Sequence, residues 1–190
     1  MIGYLKIIGC LGKNLGKRFT MHNLSKLTGI PYASFYRYVK HISEQGVLDV
    51  EEAGTAHLIS LNLEFPVLKS TLAHFSFEEK WEFLEGHPII KKIVNELNAK
   101  DIVLLFGSYA KKQQTSNSDI DLLIINKTGE KSFSFSKYEL LFKKKINPIF
   151  VTEKEFMLML QDKDENVGKQ ALKNHIILNN PEKFWGLVIK

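Results

Sequence analysis

Two apolar runs, Ile102 to Phe106 (IVLLF) and Leu122 to Ile125 (LLII), are joined by the segment GSYAKKQQTSNSDID. A short unbroken apolar run is what a strand covered on both faces requires. The first run ends on Gly107 and Ser108. The second opens on Asp119 and Asp121, one residue apart. Aspartate is a poor strand former, and side chains alternate across a strand over Ser118 to Ile125, so both carboxylates share one face. Two carboxylates held close together repel unless a hard cation lies between them. Mg²⁺ takes one or two protein carboxylates together with waters and phosphate oxygens. A glycine after the first strand lets the backbone bend and approach a ligand that a Cβ would block. A helix beginning near Tyr109 to Lys112 would aim free N–H groups and the Ser108 hydroxyl at a phosphate. The plainer reading is an ordinary turn with a capping Asp119. It leaves Asp121 as an unpaired charge in an apolar strand, which is costly to bury.

Gly-Ser, a spacer of nine residues and then S-D-I-D-L-L resembles the nucleotidyltransferase superfamily of DNA polymerase beta, in particular its minimal nucleotidyltransferase branch. The resemblance implies an α/β (α+β) domain with a mixed sheet flanked by helices. It implies that Gly107, Ser108 and Lys111 bind a nucleoside triphosphate, ATP first, with Lys112 beside them. It implies that Asp119 and Asp121 ligate Mg²⁺ and are catalytic. The chemistry it implies is in-line attack on the α-phosphate with pyrophosphate leaving. A third carboxylate usually completes such a site on a later strand, here INPIFVT (146 to 152), and falls at position 147. This chain has Asn147 there. An amide can lend an oxygen to a metal but carries no charge and takes no proton, and Pro148 marks an edge or bulged position. Glu153 and Glu155 replace it only if the register shifts; Thr152 and Glu155 read instead as a capping box of the next helix.

The first 65 residues have a different character. A helix is expected over residues 3 to 12. Thr20 caps a second, with Leu24 and Leu27 on one face and Gly29 ending it. Pro31 starts a third helix, in which Phe35, Val39 and Ile42 form the buried stripe. Gly46 stops it, and strands at 47 to 50 and 57 to 63 follow, joined by the loop EEAGTA. This order of elements resembles a winged helix-turn-helix domain, whose third helix enters the DNA major groove. On that resemblance Tyr32, Ser34, Tyr36, Arg37 and Lys40 face double-stranded DNA. Residues 1 to 46 carry seven Lys and Arg against one acid, Glu44, which suits a polyanion. Asp49, Glu51 and Glu52 on the hairpin do not. Only about two to four of these seven basic residues can reach phosphates, each worth a salt slope of about 0.9, so useful affinity calls for a homodimer on a two-half-site operator.

Residues 66 to 88 read as a helical connector, with Phe77, Trp81 and Leu84 at helical spacing. Residues 89 to 190 form the transferase domain, beginning with a helix that buries Ile89 or Ile90, Ile93, Val94 and Leu97. Near the C-terminus Phe156, Met159 and Leu160 form a stripe, and Phe184, Trp185 and His175 read as structural. The single cysteine, Cys10, excludes an internal disulfide and fits a reducing cytoplasm. No apolar run approaches the roughly 20 residues of a membrane span, and neither a P-loop nor a Rossmann fingerprint occurs. Two functions stand ahead of a third, a purely structural interaction module. One is an Mg²⁺-dependent nucleotidyltransferase acting on a protein or small-molecule hydroxyl. The other is a DNA-binding regulator or antitoxin-like protein, partner of a small helical toxin, whose transferase domain binds nucleotide but is catalytically weak.

Overall fold

The computed structural model describes residues 2–54, 56–97 and 100–189 and divides into two compact units between Phe75 and Ser76. In the first unit, helix α1 (Gly3–Gly12) buries Leu5, Ile7, Ile8 and Leu11. A two-residue strand, β1 (Phe19–Thr20), leads directly into α2 (Met21–Thr28). Thr20 caps this helix by accepting the Asn23 N–H at 3.2 Å, and Gly29 ends it in the left-handed conformation, φ 66°, which costs a glycine little. Helix α3 (Tyr32–Glu44) follows Pro31 and buries Phe35, Val39 and Ile42, the spacing of one helical face. Strands β2 (Leu48–Ala53) and β3 (Ala56–Leu61) pair antiparallel, and β1 adds to the other side of β3.

Two expectations for this unit need correction. Leu27 does not join Leu24 in the core; it is 59% exposed. The buried partner of Leu24 is Ser25, whose hydroxyl donates to the Ile30 carbonyl at 2.8 Å and so ties the helix end to the following turn. The expected six-residue loop is also shorter. Glu51 and Glu52 continue the β2 ladder, opposite Leu58 and His57, and Ala53 pairs with Ala56.

Helix α4 (Leu68–Glu85) spans the division. Its C-terminal part buries Phe83 and Leu84, whereas Phe77 and Trp81 are 47% and 41% exposed, against the expected stripe. These two rings meet edge to face at 6.0 Å, with the Lys80 ammonium over both. They find partners on the helix surface and need no core.

In the second unit Pro88 opens α5 (Pro88–Val94), which buries Ile90 and Ile93. Then follow β4 (Ile102–Phe106), α6 (Gly107–Ala110), β5 (Ile120–Asn126), α7 (Ser136–Phe142), β6 (Ile146–Thr152), α8 (Glu153–Gln161), α9 (Val167–Lys173), β7 (Ile176–Asn179) and α10 (Pro181–Val188). The sheet order is β6-β5-β4-β7. The β5–β6 pair is parallel and the other two pairs are antiparallel, so the sheet is mixed. Val103, Leu105, Leu122 and Ile124 pack into one core with Phe83, Ile90, Ile93 and Tyr138. By alternation Leu104, Leu123 and Ile125 face the opposite way and are also buried. In α8 the expected stripe is reduced to Phe156, with Met159 and Leu160 only half-buried. Phe184 and Trp185 are fully buried, and the Trp185 indole donates to the Ser76 hydroxyl at 2.9 Å. His175 is buried with Nδ1 beside the Ala171 and Leu172 carbonyls. Strands β1 and β7 and helix α7 have no counterpart in the sequence reading. Among the described residues no helix is long and apolar enough to cross a membrane.

Candidate active site

The site forms where β4 ends, β5 begins and β6 runs alongside. Strand β4 is buried along its whole length, between β5 and β7. At its end the chain turns on Gly107 and enters the short helix α6 at once, two residues earlier than the sequence suggested. Gly107 has φ 69°, and a Cβ built on it would lie 2.2 Å from the Asp121 Oδ2. The glycine is therefore required twice, by its own left-handed conformation and by the carboxylate pressed against it. Register explains the proximity: Phe106 is paired with Asp121 across the antiparallel β4–β5 ladder.

Asp121 is half-buried in a strand whose other residues are all buried. Asp119 lies one residue before the strand begins. Both carboxylates are nevertheless reached by one group. The Asn147 Nδ2 donates to Asp119 Oδ2 at 3.2 Å and to Asp121 Oδ1 at 3.1 Å. The orientation of the amide follows from chemistry, because ionised carboxylates only accept and so the end facing them is the nitrogen. The contact exists because β5 and β6 are parallel with Asp121 opposite Asn147 and Ile120 opposite Ile146. The same register brings in Lys145, whose Nζ is 3.5 Å from Asp119 Oδ2.

The intervening segment is held from both sides. Gln114 Nε2 meets His87 Nε2 at 3.1 Å, and His87 Nδ1 in turn lies 2.7 Å from the Phe83 carbonyl. With Nδ1 donating to that carbonyl, Nε2 accepts from the Gln114 amide. The Ser118 hydroxyl accepts the Thr115 N–H at 2.9 Å, and Lys144 donates to the Ser116 and Ser118 carbonyls. Lys111 and Lys112 are exposed at the end of α6.

Asp119, Asp121, Asn147 and Gly107 are thus brought together, with Ser108 next in the chain. Lys145 was missed by sequence reasoning, because its approach to Asp119 follows from the pairing of Ile120 with Ile146, for which the sequence carries no local signal. Glu153 and Glu155 are otherwise engaged. Glu153 pairs with Lys183 at 2.9 Å. Glu155 closes the expected capping box of α8. Accepting the Thr152 N–H and then its hydroxyl holds the Glu155 carboxyl below the usual carboxylate range. The residues expected to face DNA lie on α3, in the other unit. Tyr32, Tyr36, Arg37 and Lys40 are exposed and Ser34 is half-buried, its hydroxyl 3.3 Å from Arg37 Nη2.

The donor set fits a hard divalent cation. Two carboxylates converge on one small, positively polarised group, the role such a cation fills. A third carboxylate is not part of it, and among the described residues no three His, Cys, Asp or Glu side chains come together as a metal cluster.

A family model described as polymerase beta, nucleotidyltransferase matches residues 89–183. No curated protein and no solved structure gives a significant match.

Proposed function

This chain belongs to the polymerase beta nucleotidyltransferase family, and we propose on that footing that it moves a nucleotidyl group, AMP from ATP, to the hydroxyl of a protein or a small molecule with Mg²⁺ bound. The observation that carries this reading is the convergence of Asp119 and Asp121 on one point against the Gly107 turn. Asp119 and Asp121 are the cation's ligands. When bound, Mg²⁺ supplies positive charge for the phosphate oxygens as the α-phosphate is attacked. Gly107 and Ser108 face the phosphates. Lys111 and Lys145 add positive charge at either side, which lowers the cost of bringing a polyanion beside two carboxylates. Asn147 takes no proton, so the attacking hydroxyl loses its proton without a base at that position. A positioned general base is worth typically about 10²- to 10⁴-fold, and transfer is correspondingly slow. The test is transfer of label from α-labelled ATP by the full chain: Asn147→Asp is expected to accelerate it. A fast wild type slowed by Asn147→Asp would contradict this assignment of roles.

A second reading is favoured by the same Asn147. The chain would then be a regulator or antitoxin-like protein, partner of a small helical toxin, in which nucleotide is bound and chemistry is weak. It draws support from α3, whose Tyr32, Tyr36, Arg37 and Lys40 stand exposed on a basic unit, as the reading helix of a winged helix-turn-helix domain requires. On this reading the protein binds its own promoter as a homodimer. Glu51, a poor neighbour for phosphate, is paired with Arg18.

A further inference from the structure

The contact between Asn147 and the two carboxylates has a consequence for how a cation can enter. One nitrogen supplies both carboxylates with a hydrogen bond, at 3.1 and 3.2 Å. That nitrogen occupies the space between the two carboxylates, and an amide N–H₂ is no metal ligand because its lone pair is delocalised into the carbonyl and it presents only donors. We propose that the Asn147 amide competes with the divalent cation for Asp119 and Asp121, so that a cation is taken up only when the amide is turned out. The inference rests on the nucleotidyltransferase reading and concerns this chain's departure from the three-carboxylate pattern.

Three features make the amide an effective competitor. The strand pairing of Asn147 with Asp121 holds its backbone beside both carboxylates, so the side chain reaches them without backbone movement. Its hydrogen bonds go to charged acceptors, which are stronger than neutral ones. Lys145, just before β6, adds an ion pair with Asp119 at 3.5 Å. Two carboxylates that would otherwise repel are therefore satisfied by the protein itself. A cation arriving alone gains the carboxylates and loses these contacts. A cation arriving with a triphosphate gains phosphate oxygens as well, so uptake is coupled to nucleotide.

The experiment is Mn²⁺ binding to the full chain, followed by electron paramagnetic resonance with and without a non-hydrolysable ATP analogue, in the wild type, Asn147→Ala and Asn147→Asp. Removing a competing donor to charged acceptors is expected to tighten Mn²⁺ binding without nucleotide by about ten- to a hundredfold in Asn147→Ala, and Asn147→Asp is expected to bind tighter still. If the alanine variant does not fold, the wild type decides. Its Asn147 side-chain N–H resonances, identified by their loss in Asn147→Asp, should shift when Mg²⁺ and the analogue are added together and stay in place with Mg²⁺ alone. Weaker Mn²⁺ binding by Asn147→Ala than by the wild type, or resonances that shift fully with Mg²⁺ alone, would overturn the competition and leave the metal site standing. Absence of Mn²⁺ binding in all three proteins with the analogue present would overturn the metal site itself and this proposal with it.

Discussion

Strands β2 and β5 carry the same local signal, two acids at alternate positions: Asp49 and Glu51 in one, Asp121 with Asp119 just ahead of it in the other. Their settings are opposite. β2 is the edge of a three-stranded sheet and is exposed from Asp49 onward. Its Glu51 meets Arg18 with both side chains 58% exposed, an arrangement worth about 0–1 kcal/mol and screened by salt. β5 lies between β6 and β4, its other residues buried. Its acids take directed hydrogen bonds from Asn147, and Asp121 lies against the Gly107 backbone. An acidic pair on a strand is therefore informative in proportion to the burial of its neighbours. In β2 it is a solvated edge, which also discourages pairing with other chains. In β5 it is a constellation that the fold is built around.

The contrast is tested most severely at two glycines with similar backbone angles. Gly107 (φ 69°) faces Asp121 Oδ2, whereas Gly54 (φ 62°), in the β2–β3 turn, has nothing near its missing Cβ. Gly107→Ala should combine left-handed strain with a clash against the Asp121 side chain and cost about 2–4 kcal/mol, read as a shift of the denaturation midpoint. Gly54→Ala should cost only the strain, about 1 kcal/mol. Equal costs would mean that Asp121 is free to move away, and the site would lose its definition. Next in size is the exposed face of α3. Arg37→Ala with Lys40→Ala should lower the salt slope of promoter binding by about 2, at roughly 0.9 per phosphate contact, with nucleotide binding unchanged. Promoter binding that shows no salt dependence at all would remove the regulator reading. The smallest effect is expected at the edge strand. Glu51→Gln should change stability by at most about 1 kcal/mol at low ionic strength and by nothing measurable at high salt. A larger loss would make the β2 acids structural after all.

Much of this architecture could be read from the sequence because its signals are local. The caps at Thr20 and Thr152, the stop at Gly29 and the stripe of Phe35, Val39 and Ile42 each need only a few neighbouring residues. So does the junction of a buried strand with Gly107. What escaped is short or non-local. β1 has two residues and β7 four, too few to show a period. Helix α7 exposes Leu140 and Leu141 while burying Tyr138, so its apolar residues point to the wrong face. Leu27, Phe77 and Trp81 mislead in the same way, because helical spacing says which residues share a face and not which face is covered. The contacts of Asn147 with both aspartates and of Lys145 with Asp119 depend on the parallel pairing of β5 with β6, a register that no spacing within the segment prescribes.

Everything proposed for the second unit depends on Asp119 and Asp121 acting together on a cation and a triphosphate, and calorimetric titration of the full chain with ATP in the presence and absence of Mg²⁺ tests this most directly. Binding is expected to require Mg²⁺ and to weaken by at least about a hundredfold in each of Asp119→Asn and Asp121→Asn, since even residues that merely orient a metal ligand typically cost 10- to 100-fold. Unchanged affinity in both variants, or binding indifferent to Mg²⁺, would contradict their acting together.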